Sequence, residues 1–185
     1  AWVDRNWDAI GACGVFLMQL EIPMETNLHL LARLDGHERT LILDPAPARP
    51  LPPALLTGAD YLTPNEVELG MLAGMSVESE EDFRTACGIL LAQGARTIIA
   101  KAGKRGAFIA RPGAFERVPG FRVEAVDPTA AGDTFNAGFA LALSEGKSVF
   151  ESVRFANAAA ALSTTAFGAQ GAMPDRPRVE ALLRG

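Results

Sequence analysis

The stretch Asp127 to Phe139, DPTAAGDTFNAGF, sets one carboxylate, Asp133, directly behind Ala130, Ala131 and Gly132 and at the head of an apolar helical run. Side chains this small let a ligand approach the backbone. The unpaired N–H groups of a first helical turn also carry partial positive charge, which suits phosphate oxygens. A carboxylate beside such a cradle can act on a hydroxyl next to the phosphate. That pairing meets the needs of phosphoryl transfer to an alcohol, which depends on positioning and charge stabilisation more than on covalent chemistry. Taken alone, the same stretch is also a well-capped buried helix whose Asp133 only complements the helix dipole, an effect worth about 0.3 to 1 kcal/mol at an exposed end.

Other residues carry the same double meaning. Pro64-Asn65-x-x-Glu68 has the spacing of a helix start, with Asn65 as cap and Glu68 reaching back to its N–H. Lys101-Ala102-Gly103-Lys104-Arg105-Gly106 follows a predicted strand and reads as a glycine-bounded tight turn between two strands. Glu21, at the end of another predicted strand, offers acceptors for two hydroxyls of a polyol, or else is a charge facing water. Asn157 is a polar residue in an alanine-rich helical face.

The elements that must hold these residues alternate between short apolar runs and helical patterns. That alternation points to crossover units and a mainly parallel sheet covered by helices, an α/β fold. Val15 to Leu20, Thr40 to Leu43, Asp60 to Leu62 and Thr97 to Lys101 read as strands. Met24 to Leu34 has Leu28, Leu31 and Leu34 at helical spacing and stops before Gly36. Glu80 to Gln93 is a second helix, capped by Ser79, buried along Phe83, Ala86, Cys87, Leu90 and Leu91, and stopped by Gly94. Ala107 to Ala110 and Phe115 to Val118 form an antiparallel extension, because the links are too short for a parallel crossover. Asp133 to Ser144 is apolar on nearly every face, with Phe135, Phe139, Ala142 and Leu143 on one side, and is expected to be a central buried helix. Ser148 and Glu151 start the next helix as a capping box, and its run Ala158 to Ala161 permits close packing.

At 185 residues the chain can bury one core, and 49% hydrophobic with 21% charged residues is the balance of an ordinary globular domain, so a single α/β domain over 1–185 is expected. A net charge of −5, with scattered basic residues, argues against nucleic acid or an anionic membrane surface as partner. No apolar run approaches the roughly 20 residues needed to span a bilayer. Cys13 and Cys87 are far apart in apolar surroundings and are expected to be buried free thiols in a reducing compartment, the cytoplasm. His29 and His37 alone give no support to a zinc site.

The signature at 127 to 139, together with Met18-Gln19-Leu20-Glu21, Asp44-Pro45-Ala46-Pro47-Ala48, Thr63-Pro64-Asn65-Glu66-Val67-Glu68 and Val118-Pro119-Gly120-Phe121, resembles the ribokinase-like, or carbohydrate kinase, family from about Gly14 to the C-terminus. The resemblance implies a Rossmann-like, three-layer αβα ribokinase-like fold. It implies a sugar kinase that uses ATP, Mg2+ and K+, with Asp133 as catalytic base and Ala130, Ala131 and Gly132 as the anion hole. It places Asn65, Lys101, Ala102, Gly103, Lys104, Arg105, Gly106, Gly132 and Asn157 at ATP, with Gly103 and Gly106 leaving room for the nucleotide. Glu21, with Asp133, would meet the sugar, and Glu68 would help organise magnesium through water. Asp127, Thr129, Ser163, Ala166, Gly168 and Ala172 match positions that bind potassium, largely through backbone carbonyls.

The implied reaction moves the γ-phosphoryl group of ATP to the primary hydroxyl of ribose. Fructokinase, ketodeoxygluconate kinase and nucleoside kinase chemistry are the nearest alternatives, and a noncatalytic nucleotide- or sugar-binding remnant stands as a different class. The family's first segment supplies core strands, a glycine-rich sugar motif, an early Asp and a β-sheet lid that often mediates dimerisation, and none of these is found before Gly14. The chain therefore reads as the C-terminal, nucleotide-binding part of a larger protein. A chain that existed at this length would carry an unpaired sheet edge.

Overall fold

The computed structural model describes residues 2–185. One six-stranded sheet runs in chain order: β1 (Val15–Met18), β2 (Thr40–Leu43), β3 (Tyr61–Leu62), β4 (Ile98–Lys101), β5 (Gly106–Arg111) and β6 (Ala114–Pro119). The pairs from β1 through β4 are parallel, and β5 and β6 extend the sheet antiparallel. Before β1 lie two short helices, α1 (Trp2–Arg5) and α2 (Trp7–Gly11). The others are α3 (Met24–Arg33), α4 (Pro53–Gly58), α5 (Glu66–Ala73), α6 (Glu80–Ala92), α7 (Ala131–Ser144), α8 (Val149–Ser163) and α9 (Arg176–Arg184).

The inner strands β2, β4 and β5 are almost wholly apolar because both faces of the sheet are covered there, whereas the edge strand β6 exposes Glu116 and Arg117. Leu41, Leu43, Ile98, Ala100 and Phe108 turn to one side, where Leu55, Leu69, Phe83 and Leu90 of α4, α5 and α6 meet them. The alternate residues Ile42, Ile99, Ala107 and Ile109 turn to the other side, against Phe135 and Phe139 of α7 and Val153 and Ala156 of α8. α9 seals the outside of α8 through Val179, which packs with Ala158 and Ala159. The three layers expected for the fold class follow from this period-two alternation.

Three expectations change. The first strand stops at Met18 instead of Leu20. Its regular ladder to β2 ends with the Asp44 N–H donating to the Met18 carbonyl, after which the Leu20 N–H reaches the Ala46 carbonyl, out of the strand register. Glu21 therefore lies in the bend before α3 and not at a strand end. Cys13 is exposed, because it sits in the turn after α2, short of the buried strand; Cys87 is buried and both thiols are free. Helices α1, α2, α4 and α9 lie outside the expected elements, although Pro53 and the Asp175 cap are both start signals.

Candidate active site at the carboxyl ends of the parallel strands

Gln19 follows β1, Asp44 follows β2, Asn65 follows β3 and Lys101 ends β4, so the carboxyl ends of the parallel strands converge on one rim. That is where open α/β sheets place their ligands. The N-terminus of α7 points into the same rim, and its construction is unusual. α2, α3 and α4, like α7, lack a side-chain cap, but α7 alone among the described residues starts from a left-handed non-glycine residue, Ala130 with φ 58. A left-handed alanine costs about 1 kcal/mol, a strain that needs a reason. The Ala131 N–H donates to the Pro128 carbonyl at 3.1 Å, while those of Gly132 and Asp133 meet no acceptor among the described residues. Of the three residues expected to form an anion hole, Ala130 sets the turn, Ala131 has its N–H engaged by it, and Gly132, with Asp133 beside it, keeps an amide free among the described residues.

This turn separates two cavities. Ala131 and Gly132 line a cleft of about 1130 Å³ with Asn65, Lys101, Gly103, Lys104, Arg105, Gly106 and Asn157. Asp133 faces a smaller one of about 390 Å³, lined also by Gln19, Glu21, Asn27 and Asn136. Ala102 is the one residue assigned to ATP that stays out of the cleft lining, being 2% exposed and packed in the core. A carboxylate in one cavity and bare amides in the next is a geometry that can pass a phosphoryl group between two ligands.

Several assigned residues also hold the chain together. Asn65 and Glu68 form a reciprocal capping box: the Asn65 N–H donates to Oε2 at 2.8 Å, its Nδ2 to Oε1 at 2.8 Å, and Oδ1 accepts the Glu68 N–H at 2.9 Å. Glu68 is buried, and desolvation pushes its carboxyl above the usual range against the hydrogen bond from Asn65. Gly106 is required by packing: with φ 97, an added Cβ would lie 2.1 Å from the Val118 carbonyl oxygen. Only Gly103, with nothing within 4 Å of its Cβ position, leaves open space for a ligand. The Arg105 guanidinium pairs with Glu66, donates to the Glu78 carbonyl at 2.6 Å and lies over the Phe83 ring, which ties it to the wall. Asn157 Nδ2 donates to the Val118 and Pro119 carbonyls at 3.1 and 3.3 Å, fastening α8 to the end of β6.

The residues matched to potassium come together as two loops held side by side. Asp127 Oδ1 accepts from the Thr129 hydroxyl at 2.6 Å and its N–H at 2.9 Å, and Oδ2 accepts the Gly168 N–H at 2.9 Å. These bonds, the Thr129 hydroxyl first, hold the Asp127 carboxyl below its usual range. The Val126 and Asp127 N–H groups both donate to the Thr164 carbonyl. Ser163 turns its hydroxyl back to the Ala160 carbonyl, and Ala172 is buried beneath the loop. Among the described residues, no group of three or more His, Cys, Asp or Glu side chains is placed to hold a metal ion.

The residues that sequence reasoning passed over are Gln19, Asp44 and Asn136. Asp44 accepts from Lys101 Nζ at 2.9 Å, Asn136 Nδ2 at 2.7 Å and Gln19 Nε2 at 3.2 Å, and Gln19 Nε2 also donates to Asp133 Oδ1 at 3.1 Å.

Comparison with known proteins gives a consistent result. The model of the pfkB family of carbohydrate kinases matches residues 6–176. The chain is 44% identical to the ribokinase of Bacillus subtilis over 183 residues, 99% of this chain and 59% of that one. It is 42% identical to the ribokinase of Haemophilus influenzae, over 94% of this chain and 57% of the relative. The solved structure of Arabidopsis thaliana ribokinase complexed with ribose and ATP superposes with a TM-score of 0.93 at 36% identity, covering 98% of this chain and 59% of that one. The chain spans a little under three fifths of the curated relatives named here.

Proposed function

The chain belongs to the pfkB family of carbohydrate kinases, and from that premise we propose that it carries the nucleotide cleft and catalytic base of a kinase that transfers the γ-phosphoryl group of ATP to the primary hydroxyl of ribose. The observation that carries this reading is the turn at 131–133, which presents the unpaired amide of Gly132 to the larger cleft and the Asp133 carboxylate to the smaller. Ribose is supported by two relatives above 40% identity that are ribokinases, and ATP together with ribose by the Arabidopsis ribokinase, whose solved structure is a complex with both.

ATP lies in the larger cleft, its base between the apolar Val67, Phe121 and Val123 side and the open Gly103. Its γ-phosphoryl oxygens accept from the Gly132 and Asp133 N–H groups, aided by the positive end of α7. The sugar sits in the smaller cavity, where Glu21 accepts its hydroxyls and Asp133 orients the primary one. As that hydroxyl oxygen bonds to phosphorus, the bond from phosphorus to the β–γ bridging oxygen breaks, ADP leaves with that electron pair, and the hydroxyl proton passes to Asp133. A loose transition state lets the proton move late, so an ordinary carboxylate suffices as base.

Magnesium fits only through water, since Glu68 is buried with both oxygens on Asn65, Glu66 in the cleft wall is paired with Arg105, and Asp44 is neutralised by Lys101. Glu68 and Asn65 would hold its water shell, and the ion would neutralise phosphate charge. The 127–129 and 163–172 loops offer carbonyls with one carboxylate, a donor set suited to a weakly hydrated monovalent ion such as potassium. Two unpaired thiols are in keeping with a reducing compartment such as the cytoplasm. The test is a panel of sugars with MgATP and the Asp133→Asn protein. Ribose is expected to be preferred and kcat to fall by about 10²- to 10⁴-fold in the variant; near-full turnover in the variant rules Asp133 out as base. ATP binding with no transfer to any sugar would select the noncatalytic remnant.

A further inference from the structure

Asp44 has no place in the scheme above, and its surroundings give it one. Its side chain is 3% exposed and that of its partner Lys101 12%, so the ion pair is nearly dry. A buried pair is weak support for stability, because desolvation offsets most of the attraction. Here the pair sits where both charges are aimed. Lys101 Nζ lies 3.7 Å from the point a Cβ on Gly132 would occupy, against the first turn of α7. An ammonium has three donors. One goes to Asp44, and the remaining donors, like the Gly132 N–H, meet no acceptor among the described residues.

On the other side, Gln19 Nε2 divides its hydrogens between Asp44 Oδ2 and Asp133 Oδ1, at 3.2 and 3.1 Å. Two flanking carboxylates fix which end of the Gln19 amide faces them, since only its nitrogen can donate to both. Asp133 Oδ1 is thereby occupied, and Oδ2 is left for a hydroxyl. Asn136, one turn along α7 from Asp133, returns to Asp44 at 2.7 Å and locks the helix to the hub.

We propose that Asp44 is a positioning residue of phosphoryl transfer, holding the Lys101 ammonium over the Gly132 amide as a ligand for the terminal phosphate and, through Gln19, turning one oxygen of Asp133 toward the acceptor hydroxyl. This rests on the kinase reading above. It assigns the γ-phosphate a charged partner that ADP cannot use.

The test compares ATP with ADP by calorimetry in the wild type, Asp44→Asn, and the double variant Asp44→Asn with Lys101→Met, alongside turnover. The double variant carries no lone buried charge, so it guards against a folding defect in the single one. ATP affinity is expected to fall about 10-fold in both variants with ADP within twofold, as loss of a charge-assisted contact to one phosphate requires. The kcat of Asp44→Asn is expected to drop by about 100-fold or more, with the sugar KM within threefold. Equal weakening of ATP and ADP, or of neither, overturns the proposal and leaves the pair structural. A wild-type protein that binds ATP but phosphorylates no sugar sinks the kinase reading alone, and the ATP-to-ADP comparison then still decides the role of Asp44. A wild type that binds neither nucleotide sinks both.

Discussion

Substituting Gly132 by alanine sets stability against activity with opposite signs. Gly132 is the second residue of α7 and has an ordinary helical φ, so the backbone has no need of glycine there. The only atom a new methyl meets within 4 Å is Lys101 Nζ, at 3.7 Å, an ordinary contact. Packing is therefore undisturbed, and exchanging glycine for alanine in a first turn should stabilise by about 0.5 kcal/mol. For a domain of this size that raises Tm by about 1 to 2 °C. The methyl, however, projects into the gap between the Gly132 amide and the Lys101 ammonium, which the transferred phosphoryl fills in the proposed reaction. Holding that group about 1 Å away costs on the order of 10²-fold, and losing an anion-hole donor about 10²- to 10³-fold. Thermal unfolding and a coupled assay of ADP release read the two effects on one sample. The expected result is an unchanged or slightly higher Tm with kcat/KM for ATP at least 100-fold lower. A Gly132→Ala protein that turns over within twofold of wild type would show that the phosphoryl does not seat on this turn.

Three further outcomes follow from the site's construction. Glu68→Gln keeps an oxygen that can reach back to the Asn65 N–H and removes a desolvated charge, so unfolding free energy near pH 7 should stay within about 1 kcal/mol of wild type while magnesium-dependent turnover falls; a large loss of stability with normal kinetics would leave only the capping role. Asp127 has a folded carboxyl held below its unfolded range, so its contribution to stability is present above about pH 4 and disappears as pH falls through the folded value. Asp127→Asn should thus flatten the acid limb of Tm against pH and blunt any activation by potassium over a large organic cation, and an unaltered limb contradicts the assignment. Burial pushes the Cys87 thiol up to about 12 whereas Cys13 is exposed, so a thiol reagent at pH 8 should consume one equivalent quickly and the second only after unfolding.

What could be read in the chain, and what could not, divides by the range of the interactions involved. The helix starts at Asn65, Ser79 and Ser148 are written within three residues: the boxes at Asn65 and Ser148 form as their spacing predicts, and the Ser79 cap forms and closes into a third box with Asp82. The strands are equally local, because burial on both faces demands unbroken apolar runs such as Thr40–Leu43. Local reading made Gly106 the glycine of a tight turn and the resemblance placed it at the nucleotide; it lines the cleft, but what demands a glycine there is the Val118 backbone of a neighbouring strand. Asp44 is the extreme case. Followed by proline at the end of a strand, it has the sequence appearance of a turn residue, and its partners lie 25, 57 and 92 positions away.

A signal for Asp44 nonetheless existed, in topology and not in any motif. Once β1 to β4 are accepted as parallel, the polar residue that ends each strand must arrive at the same rim, since every crossover returns the chain to the opposite edge. Gln19, Asp44, Asn65 and Lys101 are those residues. All four are dipolar or charged groups that a buried rim tolerates only when each is satisfied; Asn65 is taken up by Glu68, which makes mutual pairing the expected arrangement for Gln19, Asp44 and Lys101. Asp133 enters that circle through Gln19, so its orientation is set by strands far from it in sequence, whereas the amides beside it are set by the strained turn at Ala130. The proposed base and anion hole are adjacent in the chain yet held by different parts of the fold. Substitutions at Gln19 or Asp44 should therefore disturb the base and leave the Gly132 amide in place, while substitutions at Ala130 should disturb the amides first.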